Sequence, residues 1–155
     1  MKKALLAATL LAAAAAPAGA VTETMTFSGT IAPVCTITVD SPGVMAPDSA
    51  LAELSTTQAG GSAGVATIQT SGTSFNVSTT APSTFSTAPA GADANVTFAA
   101  LYSATGATTL TDVAGATPSP LGQGTTTLNV DLTATKSSGT FPDGSYSADL
   151  VVTCE

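Results

Sequence analysis

The chain has 155 residues, a formal net charge of −7 at neutral pH, three basic side chains against ten acidic ones, and neither histidine nor tryptophan. So acidic a balance cannot neutralise phosphates, which argues against nucleic-acid binding and against attraction to anionic lipid. The lack of histidine removes every Ser-His-Asp or Cys-His catalytic arrangement and any histidine metal site.

Residues 1–20 carry the three parts of a secretory signal: Lys2 and Lys3, an apolar run from Ala4 through Ala16, and Ala18-Gly19-Ala20 ahead of Val21. The run is shorter than the roughly 18 to 20 residues that span a bilayer, and no later segment approaches that length. The expectation is an exported protein, periplasmic to cell-surface or extracellular, with residues 21–155 as one domain and no membrane span in the mature chain. Cleavage would leave Lys136 as its only cation. Thr, Ser, Ala and Gly are abundant, yet only 8% of the residues are charged and Val, Ile, Leu and Phe recur at regular intervals, which predicts a thin folded core rather than disorder.

After the signal, apolar and polar residues alternate in short stretches, the period of a strand with one buried face. Thr24–Ile31 and Val34–Val39 come first, then Val65–Gln69, Thr73–Thr79, Asn95–Tyr102, Thr108–Val113, Thr125–Thr135 and Ser145–Cys154. Ser49–Leu54 alone has a weak helical period. Turn-rich joins fall at Asp40-Ser41-Pro42-Gly43, Gly60-Gly61, Ala81-Pro82, Pro89-Ala90-Gly91 and Pro118-Ser119-Pro120. The connections Asp40–Gly64 and Thr80–Ala94 are long for a compact domain and should be surface loops or hold a further strand. Pro142-Asp143-Gly144 is a turn that launches the last strand, since Pro presets φ, Asp accepts backbone hydrogen bonds and Gly takes a positive φ. Asn76-Val77-Ser78 and Asn95-Val96-Thr97 match the glycosylation acceptor pattern but lie inside predicted strands and are read as strand residues. Together these elements predict an all-β sandwich of immunoglobulin-like architecture.

Side chains alternate faces along a strand, so the two ends can be read further. Tyr146, Ala148, Leu150, Val152 and Cys154 share one face of the last strand. Phe27, Ile31, Cys35, Ile37 and Val39 share a parity at the start, if Pro33 does not shift the register. Both cysteines therefore point to the core, and in an oxidising compartment they should pair. A Cys35–Cys154 bond requires the first and last strands to be neighbours at that point.

Little else in the chain carries chemistry, and no enzyme activity is expected. Lys136 lies in the polar stretch Thr135-Lys136-Ser137-Ser138, where a solvated amine is expected rather than a catalytic partner for serine. Asp40, Asp48, Glu53, Asp93, Asp112, Asp131, Asp143 and Asp149 are scattered singly, without the spacing of a calcium loop. A glycosidase pair assembled from them would lack the usual aromatic platforms, because the chain has only five Phe and two Tyr. No catalytic, cofactor or metal residues are assigned.

Thr26-Phe27-Ser28-Gly29-Thr30-Ile31 leading to Cys35, and Gly144-Ser145-Tyr146 leading to an apolar last strand, make the chain resemble bacterial chaperone-usher pilin subunits, most of all the spore coat protein U-like branch. The middle follows a similar plan: a Gly-rich approach to Val65-Ala66-Thr67-Ile68-Gln69, then Phe75-Asn76-Val77-Ser78, then Ala100-Leu101-Tyr102 before a Thr-Gly turn. The resemblance implies a pilin-like immunoglobulin sandwich lacking its last edge strand. A periplasmic chaperone would supply that strand first, and the N-terminal extension of the next subunit would supply it after delivery to an outer-membrane usher. It also implies that Val21–Phe27 is the donor strand, with Val21, Met25 and Phe27 as groove-fillers and Glu23 on the same face. The leading expectation is a structural subunit of a pilus or surface coat, its partners copies of itself or related subunits. The alternative is a self-complete secreted immunoglobulin-like module, closed by a terminal disulfide, that binds through its long loops.

Overall fold

The computed structural model describes residues 19–155, so the predicted export signal lies almost wholly outside the described residues. The chain divides between Thr30 and Ile31. Residues 19–30 form no strand, and the compact unit is Ile31–Glu155. The alternation in Thr24–Ile31 is therefore not realised as a strand. An extended segment becomes one only when a neighbour pairs with its backbone, and none of the described strands does so here.

The compact unit is all-β, with two antiparallel sheets. Its strands are β1 (Cys35–Ser41), β2 (Ala46–Pro47), β3 (Glu53–Ser55), β4 (Gly64–Thr70), β5 (Asn76–Thr80), β6 (Val96–Gly106), β7 (Leu110–Ala114), β8 (Ser119–Pro120), β9 (Gly124–Lys136) and β10 (Val151–Cys154). The larger sheet is organised by β9, whose thirteen residues alternate so that Thr126, Leu128, Val130, Leu132, Ala134 and Lys136 are all buried. One side of β9 pairs with β6 along nearly its whole length. The other side is shared, with β4 against Gly124–Val130 and β3 against Thr133–Thr135. Outside these lie β1 on β4, β2 on β3 and β7 on β6. The smaller sheet runs β10-β5-β8.

Along β9, between the end of β3 and the start of β4, Thr56 fills the break in the ladder. Its amide donates to the Leu132 carbonyl (3.1 Å), and its hydroxyl donates to Asp131 (2.6 Å) and accepts from the Leu132 amide (3.2 Å). The long connection after β1 thus holds two short strands, β2 and β3. Ser49–Leu54 is a turn running into β3 rather than a helix. The Asp48 carboxylate accepts from the amides of Ala52 (2.8 Å) and Glu53 (3.0 Å), and Leu51 sits at φ 54°, outside the right-handed helical region. Gly144 has φ 144° and a Cβ there would meet Pro89 at 2.5 Å, so the predicted turn before the last strand does depend on glycine.

The core falls into two clusters. In one, Ile68, Val77, Tyr102, Leu121 and Leu128 are sealed between the sheets, with Cys35, Ile37, Val152 and Cys154 packed against them. The buried Tyr102 hydroxyl is kept satisfied by the carbonyls of Val77 and Thr117 and by the Ser119 hydroxyl (2.7 Å). In the other, Phe85 packs edge-on against Phe98, Phe141 and Tyr146 at centroid distances of 4.9, 5.9 and 5.1 Å. Lys136 belongs to this second cluster. It is the last residue of β9, its parity turns it inward, and its amine donates to the Ala94 carbonyl (2.7 Å) and lies 5.2 Å from the Phe141 ring centroid. The solvated amine expected from its polar neighbours is absent because strand parity outranks local composition.

Candidate functional site

Two strand edges face each other across the opening between the sheets. The first is β1, which pairs with β4 alone and carries a bulge at Asp40. The second is the run Ser145–Cys154, of which only Val151–Cys154 forms a ladder with β5. In the upstream half, Ser147 exchanges backbone bonds with Thr87 (2.9 and 3.2 Å). Because amides alternate sides along an extended chain, those of Tyr146, Ala148 and Leu150 turn the other way, where no described strand pairs with them. For this reason the predicted strand Ser145–Cys154 is a ladder only at its end.

Between the two edges is a groove of about 930 Å³. Its floor is apolar: Ala66, Val130, Leu132 and Leu54 from the larger sheet. One wall is Val39, Val44 and Met45, and the other is Tyr146, Ala148, Leu150 and Val152, with Phe141 at the end. Val39 has the inward parity expected of it but is 71% exposed, since the space it faces is this groove. At a rise of roughly 3.3 Å per residue, the wall from Tyr146 to Val152 is about 20 Å long, room for a strand of some seven residues. Unpaired backbone beside an apolar cleft is the arrangement that accepts an added β-strand, main chain for affinity and alternate side chains for fit.

The groove stops at a covalent closure. Cys35 and Cys154 are disulfide-bonded with a Cα–Cα distance of 6.5 Å, joining the start of β1 to the end of β10. The pairing anticipated from the two parities is present, and it leaves no free cysteine among the described residues. The neighbours of the bond, Ile37 and Val152, belong to the sealed cluster.

Two groups have shifted titration, of which Tyr146 lines the groove and Asp48 does not. The Tyr146 phenol is pushed above its ordinary value of 10.0, first by desolvation and then by the Asp143 carboxylate; its hydroxyl donates to the Pro142 carbonyl. Asp48, beneath the β2–β3 corner, is held below its ordinary 3.8, chiefly by the Glu53 amide and opposed in part by desolvation. The acidic side chains remain dispersed, and no group of three metal-ligating residues forms among the described residues. No helix among them is long and apolar enough to cross a membrane.

Of the residues singled out as groove-fillers, Val21, Met25 and Phe27 lie in the leading stretch, outside any strand, and are 85%, 77% and 87% exposed. The alternation of Tyr146 to Val152 already marked one wall in the sequence. The contributions of Leu54, Met45 and Phe141 come from loops or short strands and carried no such signal. No family model matches the chain, and no curated protein or solved structure matches it either.

Proposed function

We propose that this chain is a structural subunit of a pilus or surface coat, built by strand donation. The observation that carries the reading is an apolar groove between two unpaired edges in a chain that also presents an exposed, unpaired, apolar-alternating segment. In this reading the sandwich is immunoglobulin-like and lacks one edge strand. Val21, Met25 and Phe27 of another copy fill the groove, and their backbone pairs with the free edge at Tyr146–Leu150. A periplasmic chaperone holds the groove until delivery at an outer-membrane usher, in keeping with an exported, disulfide-bonded protein. The protein does no catalysis; its work is cohesion between subunits.

A second reading, a self-complete binding module, is favoured by the disulfide, which already ties the two edges together. One experiment separates the two. The exported chain is compared with a form lacking Val21–Phe27 and with a fusion carrying that segment after Glu155 through a flexible linker. Strand donation predicts loss of polymers on truncation and a large rise in melting temperature for the fusion. A truncated chain that is a stable monomer, unimproved by the fusion, would establish the binding-module reading instead.

A further inference from the structure

A tethered strand normally outcompetes a free one, because a short flexible tether gives it an effective concentration in the millimolar range. If the groove accepts the segment around Met25 and Phe27, the chain should first close on itself. We infer that the disulfide and a backbone anchor at Ser71 prevent this, so that a groove is filled only by a second copy of the chain. This inference rests on the strand-donation reading.

Three observations carry it. The leading segment enters the domain at Ile31, four residues ahead of Cys35 and the sealed end of the groove, so self-insertion demands a reversal near there. A strand laid between two edges needs its neighbours roughly 9 to 10 Å apart, twice the inter-strand spacing. The Cys35–Cys154 Cα–Cα distance of 6.5 Å leaves no lane at that point. Finally, the residues that would have to turn are held straight. The Val34 amide donates to the Ser71 hydroxyl (2.7 Å), the Ser71 amide donates to the Val34 carbonyl (3.0 Å), and the Ser71 hydroxyl lies 3.3 Å from the Ala32 carbonyl.

The register shows how these constraints combine. A tight reversal at Pro33-Val34 would set Phe27 opposite Asp40 and Met25 opposite Pro42, beside the groove. It would also break the Ser71 bonds and drive the returning strand through the closed lane. With Ala32–Val34 held, the nearest reversal is at Gly29-Thr30. Phe27 then falls opposite Ala32 and Met25 opposite Val34, both short of Val39, where the groove begins. The segment of a second molecule has no such tether and can lie along the open side.

The test keeps the disulfide and lengthens the tether: a twelve-residue Gly/Ser insert between Thr30 and Ile31 of the full chain, with a root-mean-square span of roughly 19 Å, close to the groove's length. Both chains are followed by light scattering across a concentration series, and by hydrogen exchange at residues 21–27. The unaltered chain should form polymers with residues 21–27 protected. The insert variant should give at least a tenfold larger monomer fraction, independent of concentration, with the same residues protected inside the monomer. The double variant Cys35→Ser/Cys154→Ser should shift the same way where it folds, and the insert variant decides the matter where it does not. If the insert variant polymerises as the unaltered chain does, the barrier to self-insertion is disproved while strand donation stands. If the unaltered chain is itself a monomer with residues 21–27 protected, the barrier is again disproved. If neither chain protects residues 21–27, strand donation fails and the inference falls with it.

Discussion

The two ends of the space between the sheets are built by the same alternation and end up unlike. Near the disulfide, every inward position finds an opposing layer: Ile68 and Leu128 from the larger sheet meet Val77 and Val152 from the smaller one. Farther along, Val130, Leu132 and Leu54 point inward just as regularly, but the opposing chain is a single extended run whose outer amides have no neighbour. Inward parity therefore yields a core only where a second layer is complete. Where the opposing layer is that single run it yields a groove with a buried floor and an exposed rim, as Leu132 and Val39 show.

Four experiments would break or sharpen this contrast. The largest effect belongs to the closure. Cys154→Ser removes a crosslink with a sequence separation of 119, for which the chain-entropy model gives about 4 to 5 kcal/mol, an upper figure for real proteins. Urea unfolding of the oxidised variant and parent should show a lower midpoint for the variant. An unchanged midpoint would mean that the sealed end does not depend on the bond. Next, Leu128→Ala should cost about 2 to 5 kcal/mol, as for a buried leucine, whereas the partly exposed Leu150 truncated in the same way should cost about 1 kcal/mol in the free chain. Adding the donor segment after Glu155 should raise the Leu150→Ala cost and leave that of Leu128→Ala alone. Equal costs in the free chain would erase the distinction between the two ends.

The remaining two effects are smaller. Tyr146 lies against the groove, so filling the groove should desolvate its phenol further and move its spectrophotometric titration still higher. A titration that does not move on fusion of residues 21–27 would show that the segment does not seat beside Tyr146. Asp48 tests the corner beneath the rim. Its folded pKa lies below its unfolded one, so its contribution to stability is present above the ordinary carboxylate range and is lost as pH falls through the lowered folded value. Asp48→Asn should accordingly flatten the acid limb of the stability curve; an unaltered limb would show that the Ala52 and Glu53 amides give the carboxylate no advantage over the neutral side chain.

Much of the fold was legible because strands announce themselves by a period of two. Val65–Gln69, Thr108–Val113 and Thr125–Thr135 lie within a residue or two of β4, β7 and β9, and strand parity puts Cys35 and Cys154 on core faces, where both pack. What misled was pattern without a partner. Thr24–Ile31 alternates as well as any strand yet has no ladder, and Ser145–Leu150 is paired only through Ser147. Short strands that owe their existence to the end of another, such as β3 continuing the line of β4, leave no periodic trace.

By itself, the sequence determined that this is an all-β chain, that its two thiols share the core side, and that its chemistry is poor in cations and lacks histidine, because side-chain type and strand period are local properties. The tertiary structure alone decided which inward faces are covered, that Lys136 is buried beside Phe141, and that Val39 and Leu150 border an opening. Burial depends on whether a neighbouring strand is present, and no residue encodes its neighbour's absence.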